Sequence, residues 1–433
     1  MASFKVRSEH DDCKSRPDLK LPNKSTEQLL LECSNLTFKY VRFSGRFPLS
    51  MQDLESGKPK KFHLPVFLAI LYIILQSISI IWQIINTILV SQTYRGSSTS
   101  FIGFSAYIVP HILTLIANTV QLITRRKTIT FWRTLIHFTE KLTAFSTEKS
   151  YSQFQNSFEK SIKSYFTYVV VATILFMIIH FILEIISRII QTQEELFSSP
   201  ISLALFSVIL SSNRFICFYP HMFFIRTFTV CFDTLNDTMC DLISQQTTVE
   251  NGGDKKKSLI GRRYFVFEEK IIIYLNLRSE LQDLVGQFNL LSGLDFLVIL
   301  CFCGLEILLS VFELITTASE NAALVIICFI MGFVHCNFFW HFCLFGTILS
   351  KSAVNVVKRL EKIPLHGLSD DIKFKVRVFG LYKSKRIFFY KMFSHANFFN
   401  QMKLTCLNAI MDPLEVGNTF ISFTTRLFTS VWL

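Results

Sequence analysis

Residues 64–92 read LPVFLAILYIILQSISIIWQIINTILVSQ, without a single Lys, Arg, Asp or Glu. A hydrocarbon layer about 30 Å thick is crossed by about 20 apolar residues in helical form, at about 1.5 Å of rise each. This stretch is longer than that requirement. Its apolar residues run on without the strict alternation of a half-buried strand, so it reads as a spanning helix. Six more windows follow the same pattern, at 101–124, 165–190, 200–231, 294–318, 323–350 and 414–433. The composition agrees, with 50% hydrophobic residues and 46 Phe against 15 Gly and 10 Pro in 433 residues. In hydrocarbon a chain must pair its own backbone polar groups, which a helix does internally. The sequence therefore predicts an all-α membrane protein with seven transmembrane helices.

The net charge of +12 would suit nucleic acid if the cations formed one surface. They do not. Lys and Arg number 12 in 1–64, 8 in 125–164, 7 in 232–293 and 12 in 351–413, whereas the connections 93–100, 191–199 and 319–322 hold only Arg95. Every second connection is basic. The positive-inside rule then places the N-terminus and the long connections in the cytoplasm and the C-terminus outside. Nucleic acid is excluded as a partner, and the opposite orientation of G-protein-coupled receptors is disfavoured by the charge pattern. Met1 to Lys61 is polar and carries no apolar signal core, so the first span is expected to direct insertion.

The 11 Cys fall in spans or in inner segments, none in an outer connection, and no disulfide scaffold is implied. The sequons at Asn23, Asn35 and Asn236 also fall on the inner side and read as chance matches.

Four parts follow: a cytoplasmic segment 1–63, a six-helix bundle 64–350, cytoplasmic anchor helices 351–413 and a seventh span 414–433. The first part lacks sustained periodicity and reads as a partly mobile lead-in. The connection 125–164 is amphipathic and is expected to continue the helices on either side of it. Gln245 to Ser258, with Asn251-Gly252-Gly253 and Lys255-Lys256-Lys257, reads as a disordered loop whose cations would attract anionic lipid. After Pro364-Leu365-His366-Gly367, the run Ser369-Asp370-Asp371 suits the start of a helix. The apolar residues Phe374, Val378, Leu381, Phe388 and Phe389 then ask for a packing partner. On the seventh span, Glu415, Asn418, Ser422, Thr425, Arg426 and Thr429 gather on one side of a helical wheel, with Val416, Phe420, Leu427 and Val431 opposite. A polar stripe on a spanning helix lines water or a buried seam.

These residues resemble the arthropod gustatory receptors of the insect chemoreceptor superfamily, inverted seven-helix proteins whose last helix ends the chain. That family closes on Thr-Tyr, five mostly apolar residues and Gln-Phe. Here Thr425 to Leu433 reads TRLFTSVWL, of the same length, with Thr425 kept and Arg426, Trp432 and Leu433 in place of Tyr, Gln and Phe. LQDLVGQFNLLSGLDFLVIL at 281–300 looks like the family's lead into span five, and KLTCLNAIMDPL at 403–414 like its lead into span seven. The resemblance covers about the C-terminal third. It implies a ligand-gated, tetrameric cation channel with a ligand pocket in the outer half of the bundle. It further implies a pore lined by the seventh span, with Asn418, Ser422, Thr425, Arg426, Thr429 and Trp432 as candidates.

Each singled-out residue also has a plainer structural reading. Four copies of Arg426 around a narrow path would repel cations; alternatively, the side chain snorkels outward or pairs with a carboxylate. Glu306 and Glu313 share one face of span five and need partners or water. With His111, Glu184 and Arg188 they could line the ligand cavity, or Glu184 could pair with Arg188 at i,i+4 and Glu306 with Arg214. His335, Cys336, His341 and Cys343 are not spaced to put four ligands on one helix face, so no metal is expected. Tyr72, Trp82, Tyr107, Phe181 and Trp340 could line an apolar pocket but read first as packing.

The function expected is therefore chemosensory: a small-molecule ligand, a lipid surround, the plasma membrane, a homo- or hetero-tetramer of related chains, no cofactor and no enzymatic activity. Two alternatives stand beside it. One is a non-conducting subunit that needs a related partner; the other is a seven-span metal-dependent membrane hydrolase, which would need a His and Asp cluster.

Overall fold

The computed structural model describes residues 26–43, 47–59, 63–93, 98–146, 218–250, 257–317, 344–355 and 368–374, with scattered helical positions at 152–182 and 326–336. Among the described residues the architecture is helical. In chain order, α1 is Thr26–Phe43, α2 Met51–Ser56, α3 Leu64–Thr93, α4 Ser98–Phe145, α5 Phe218–Glu250 and α6 Lys257–Thr317.

The segment expected to be a loose lead-in contains a full helix. Glu27 in the first turn and Arg42 in the last complement the helix dipole of α1. Leu29, Leu30, Cys33, Phe38 and Val41 are all buried, on the spacing of one helical face. The charged residues between them mask that face in the sequence. Arg42 then donates from Nε to the carbonyl of Leu49 at 2.8 Å. Burial pulls its guanidinium down to about 10, with the charge of Asp53 opposing the shift.

A capping box opens α2. Asp53 N–H donates to Ser50 Oγ at 3.1 Å, and Asp53 Oδ2 accepts from the Ser50 backbone N–H at 2.8 Å. The same buried carboxylate meets His63 Nε2, which ties α2 to the start of α3. Gly57 closes the helix at φ 68°, its N–H donating to Asp53 O at 2.8 Å. A Cβ here would fall inside the Arg133 guanidinium, which donates from Nη2 to Ser56 O at 2.6 Å. Gly57→Ala therefore combines a left-handed backbone with a displaced Arg133. A loss of about 1–2 kcal/mol in the stability of the purified protein is expected, whereas Ser56→Ala should leave it within about 0.5 kcal/mol.

α4 runs antiparallel to α6 from Gln121 to Lys141. Gln121 meets Asp295, Phe131 packs on Phe288 with ring centroids 6.1 Å apart, and Lys141 reaches Glu280 at 2.8 Å. α3 lies against α4, where the Gln76 side chain donates to His111 O at 3.1 Å and accepts from Asn118 Nδ2 at 3.2 Å. α5 joins α6 through His221 and through Phe224, which sits 5.2 Å from Phe288. The helix 344–355 covers α5, with Asn236 donating to Ser352 O at 3.3 Å. Asn236 is buried there, so its sequon is closed to a glycan.

Two zones with opposite surfaces result. Below Arg125-Arg126-Lys127, the inner parts of α4, α5 and α6 enclose an aromatic core with α1: Phe38, Trp132, Phe223, Phe224, Phe228 and Phe288. Above it, apolar side chains face outward in stripes. On α3 these are Phe67, Leu71, Ile74, Ile78, Ile81, Trp82 and Ile85; on α4 they are Val109, Ile112, Ile116, Val120 and Ile123. Among the described residues one helix window, Leu64–Trp82, is long and apolar enough to cross a membrane, with mean hydropathy 2.4 and only 28% of it buried. Core helices of water-soluble folds bury such runs.

The expected window 101–124 lies within α4, and 294–317 of the window 294–318 within α6, helices of 48 and 61 residues that are much longer than a bilayer needs. The expected continuation of the second span beyond its window is thus present in α4. Of the stretch expected to be a disordered loop, the two ends are corrected, since α5 stays helical through Glu250 and α6 starts at Lys257 because polarity alone does not break a helix, and 251–256 lie outside the described residues. Helix also begins at Asp370, after Ser369, as the Ser-Asp pattern predicts, and Ser369 N–H donates to Glu268. Phe374 there is exposed, while Val378, Leu381, Phe388 and Phe389 lie outside the described residues.

Candidate functional site

A cavity of about 50 Å³ opens where the loop Phe47–Leu49 meets α4, α5 and α6, at the boundary between the two zones. Apolar walls come from Phe131, Phe224, Phe288, Phe47, Pro48 and Leu291. Polar groups come from α4 (Gln121, Arg125, Thr128), α5 (His221) and α6 (Ser292, Asp295). Helical spacing explains the α4 set, since residues four and three apart stack on one face.

The polar groups form an ordered arrangement. Asp295 is 3% exposed and accepts from the Gln121 side-chain amide. His221, 4% exposed, brings Nε2 to 3.2 Å from the same carboxylate oxygen. One acid thus holds one group from each of two neighbouring helices. Neither ring nitrogen of His221 makes a hydrogen bond among the described residues, and in the tautomer that puts Nε2–H on the carboxylate side the Nδ1 lone pair is turned away from it. Gln121 Oε1 is likewise buried without a partner. At the rim, Arg125 makes no ion pair or hydrogen bond among the described residues.

Deeper in the upper zone a second polar seam joins α3 to α4. Gln76, His111, Thr114 and Asn118 are buried there among apolar neighbours. The structure places His111 in this seam, ten residues before Gln121 on α4, while Glu306 lies on α6, eleven residues after Asp295. Glu313 lies two turns further along α6. Glu184, Arg188, Phe181 and Arg214 fall outside the described residues, as do the side chains of Glu306 and Glu313. All candidate pore residues, Asn418, Ser422, Thr425, Arg426, Thr429 and Trp432, also lie outside them. Trp82 is 52% exposed and faces outward rather than into a pocket.

His335 is buried with its ring 5.3 Å from that of Phe302, and Cys336 is exposed, while His341 and Cys343 lie outside the described residues. Among the described residues no group of three or more metal-capable side chains occurs.

The sequence reading passed over His221, Gln121 and Asp295, because each sits inside an apolar window and was absorbed into it. The signal is present in the sequence: an acid at the second position of the 294–318 window is expensive unless paired, so Asp295 requires partners from neighbouring helices.

The sequence matches no protein-family model and no curated protein. The fold is similar to that of the insect olfactory receptor OR5 from Machilis hrabei, with a TM-score of 0.59 over 83% of this chain and 90% of that one, at 11% identity.

Proposed function

We propose that this chain is a chemosensory receptor of the gustatory type, a ligand-gated cation channel that spans the plasma membrane with its N-terminus inside. The observation that carries the reading is the fold likeness to an insect olfactory receptor along nearly the whole of both chains. The outward apolar stripes of α3 and α4 support lipid as the surround, because in water they would leave a large apolar patch exposed. The TRLFTSVWL ending supports the gustatory type and a pore at the seventh span, and the resemblance it carries supports a tetramer. A ligand in the outer half of the bundle would act by favouring one of two arrangements of the seventh helices, through its difference in affinity for them.

Whole-cell recording from cells that express the chain alone tests this. A ligand-evoked current supports the channel. Current that requires a related chain supports the partner-dependent subunit, to which the departures at Arg426, Trp432 and Leu433 point. Metal-dependent hydrolysis without current supports the hydrolase. Arg426→Tyr is expected to raise cation over chloride permeability severalfold by removing a ring of positive charge from the path. An unchanged reversal potential would place Arg426 outside it.

A further inference from the structure

The inner cavity has a definite donor and acceptor pattern. Its floor offers acceptors: His221 Nδ1 and Gln121 Oε1, both buried and both without partners, beside the Asp295 carboxylate. Its rim offers a cation, Arg125, at the head of the run Arg125-Arg126-Lys127. Its walls are the faces and edges of Phe131, Phe224 and Phe288. An occupant that satisfies all three carries hydrogen-bond donors and positive charge at one end and negative charge at the other. The cation would also sit well against aromatic faces.

We propose that this cavity seats a membrane lipid whose headgroup joins a primary ammonium to a phosphate, the ammonium lowered to Asp295, His221 and Gln121 and the phosphate held by Arg125. Dimensions agree. The volume of about 50 Å³ takes three to five water-sized groups, enough for an ammonium and two methylenes with the phosphate outside. Gln121 and Arg125 are four residues apart on α4, about 6 Å along its axis, comparable with the four bonds from nitrogen to phosphorus. The depth agrees as well, since the exposed apolar stripe of α4 ends at Ile123, two residues past Gln121 and just before the basic run. That end of the stripe is the level of headgroups, on the reading of the chain as membrane-spanning, on which this proposal rests. A quaternary ammonium cannot donate a hydrogen bond to His221 or Gln121, and an anionic headgroup without an amine leaves both acceptors unpaired beside Asp295.

The test uses the full-length protein reconstituted in bilayers of equal parts phosphatidylethanolamine, phosphatidylcholine and phosphatidylglycerol, with retained lipid measured by native mass spectrometry after extraction. Flotation with the vesicles checks insertion first; a chain that does not float overturns the membrane reading and this site with it. For an inserted chain, about tenfold enrichment of phosphatidylethanolamine over both others is expected, falling to parity in Arg125→Gln and in His221→Phe. Arg125 lies at the rim and its variant is expected to fold, so it carries the test if His221→Phe does not. Equal retention of the three lipids, enrichment of phosphatidylglycerol, or enrichment unchanged in Arg125→Gln overturns the proposal. Displacement of the lipid by free phosphoethanolamine at micromolar concentration overturns it too, in favour of a soluble solute.

Discussion

Trp132→Ala is expected to destabilise the protein by about 3–5 kcal/mol, among the largest effects of any single substitution. Trp132 is 1% exposed and sits where α4 meets α1 and α5. Its ring lies 5.9 Å from Phe38 of α1, 6.0 Å from Phe223 and 5.9 Å from Phe224 of α5. Truncation opens a cavity that the surrounding helices are held too firmly to fill. Trp132→Phe should behave differently. The indole Nε1 is buried without a hydrogen-bond partner, so replacing it by a smaller ring removes volume but also an unsatisfied donor. The two changes offset, and a net loss below about 1.5 kcal/mol is expected. Ile78→Ala, on the outward stripe of α3, should change stability in micelles by less than about 0.5 kcal/mol, because the lost methyls faced lipid. Denaturation midpoints of the three variants check the set. A loss at Ile78 equal to that at Trp132 would mean that the stripe is buried and the membrane reading wrong.

The contrast between these two positions also marks where the sequence is legible. Residues 64–92 carry no charge and no breaker after Pro65 in the first turn, so lipid, length and backbone satisfaction leave one solution, and α3 ends at Thr93 against an expected 92. The continuation of α4 past Arg125 was readable for the same reason, since nothing between 125 and 145 stops a helix. The inner core was not. Leu29, Leu30, Cys33, Phe38 and Val41 hold helical spacing, but their partners, Trp132 and Phe223, lie about a hundred and about two hundred residues away. A face that packs only against distant segments leaves no local mark beyond a weak period.

The candidate site divides on the same line. His111, Glu306 and Glu313 were visible because a titratable side chain in an apolar run is conspicuous. Gln121 and His221 become significant only through Asp295, and that depends on the α4 to α6 register, which no local rule supplies. Register is fixed by the aromatic packing of Phe131 on Phe288 below it and by Lys141 with Glu280 at the far end. The core that the sequence concealed is thus what positions the site.

Asp295→Ala is expected to cost about 3 kcal/mol, second to Trp132→Ala. The loss of the carboxylate strands the buried Gln121 amide and removes the charge that faces His221 Nε2 at 3.2 Å. Asp295→Asn keeps one oxygen that can accept from either, and about 1 kcal/mol is expected. His221→Leu alone removes one donor and fills the space with an apolar group, so it should be milder than Asp295→Ala. If the acid acts by tying α5 to α6, the double variant will lose less than the sum of the two, with a coupling of about 1–3 kcal/mol. Additivity within about 0.5 kcal/mol would mean that the two residues are neighbours without a shared role. The cycle is independent of lipid when measured in detergent stripped of phospholipid. There the floor of the cavity has lost its proposed occupant, and any coupling that remains belongs to the protein alone.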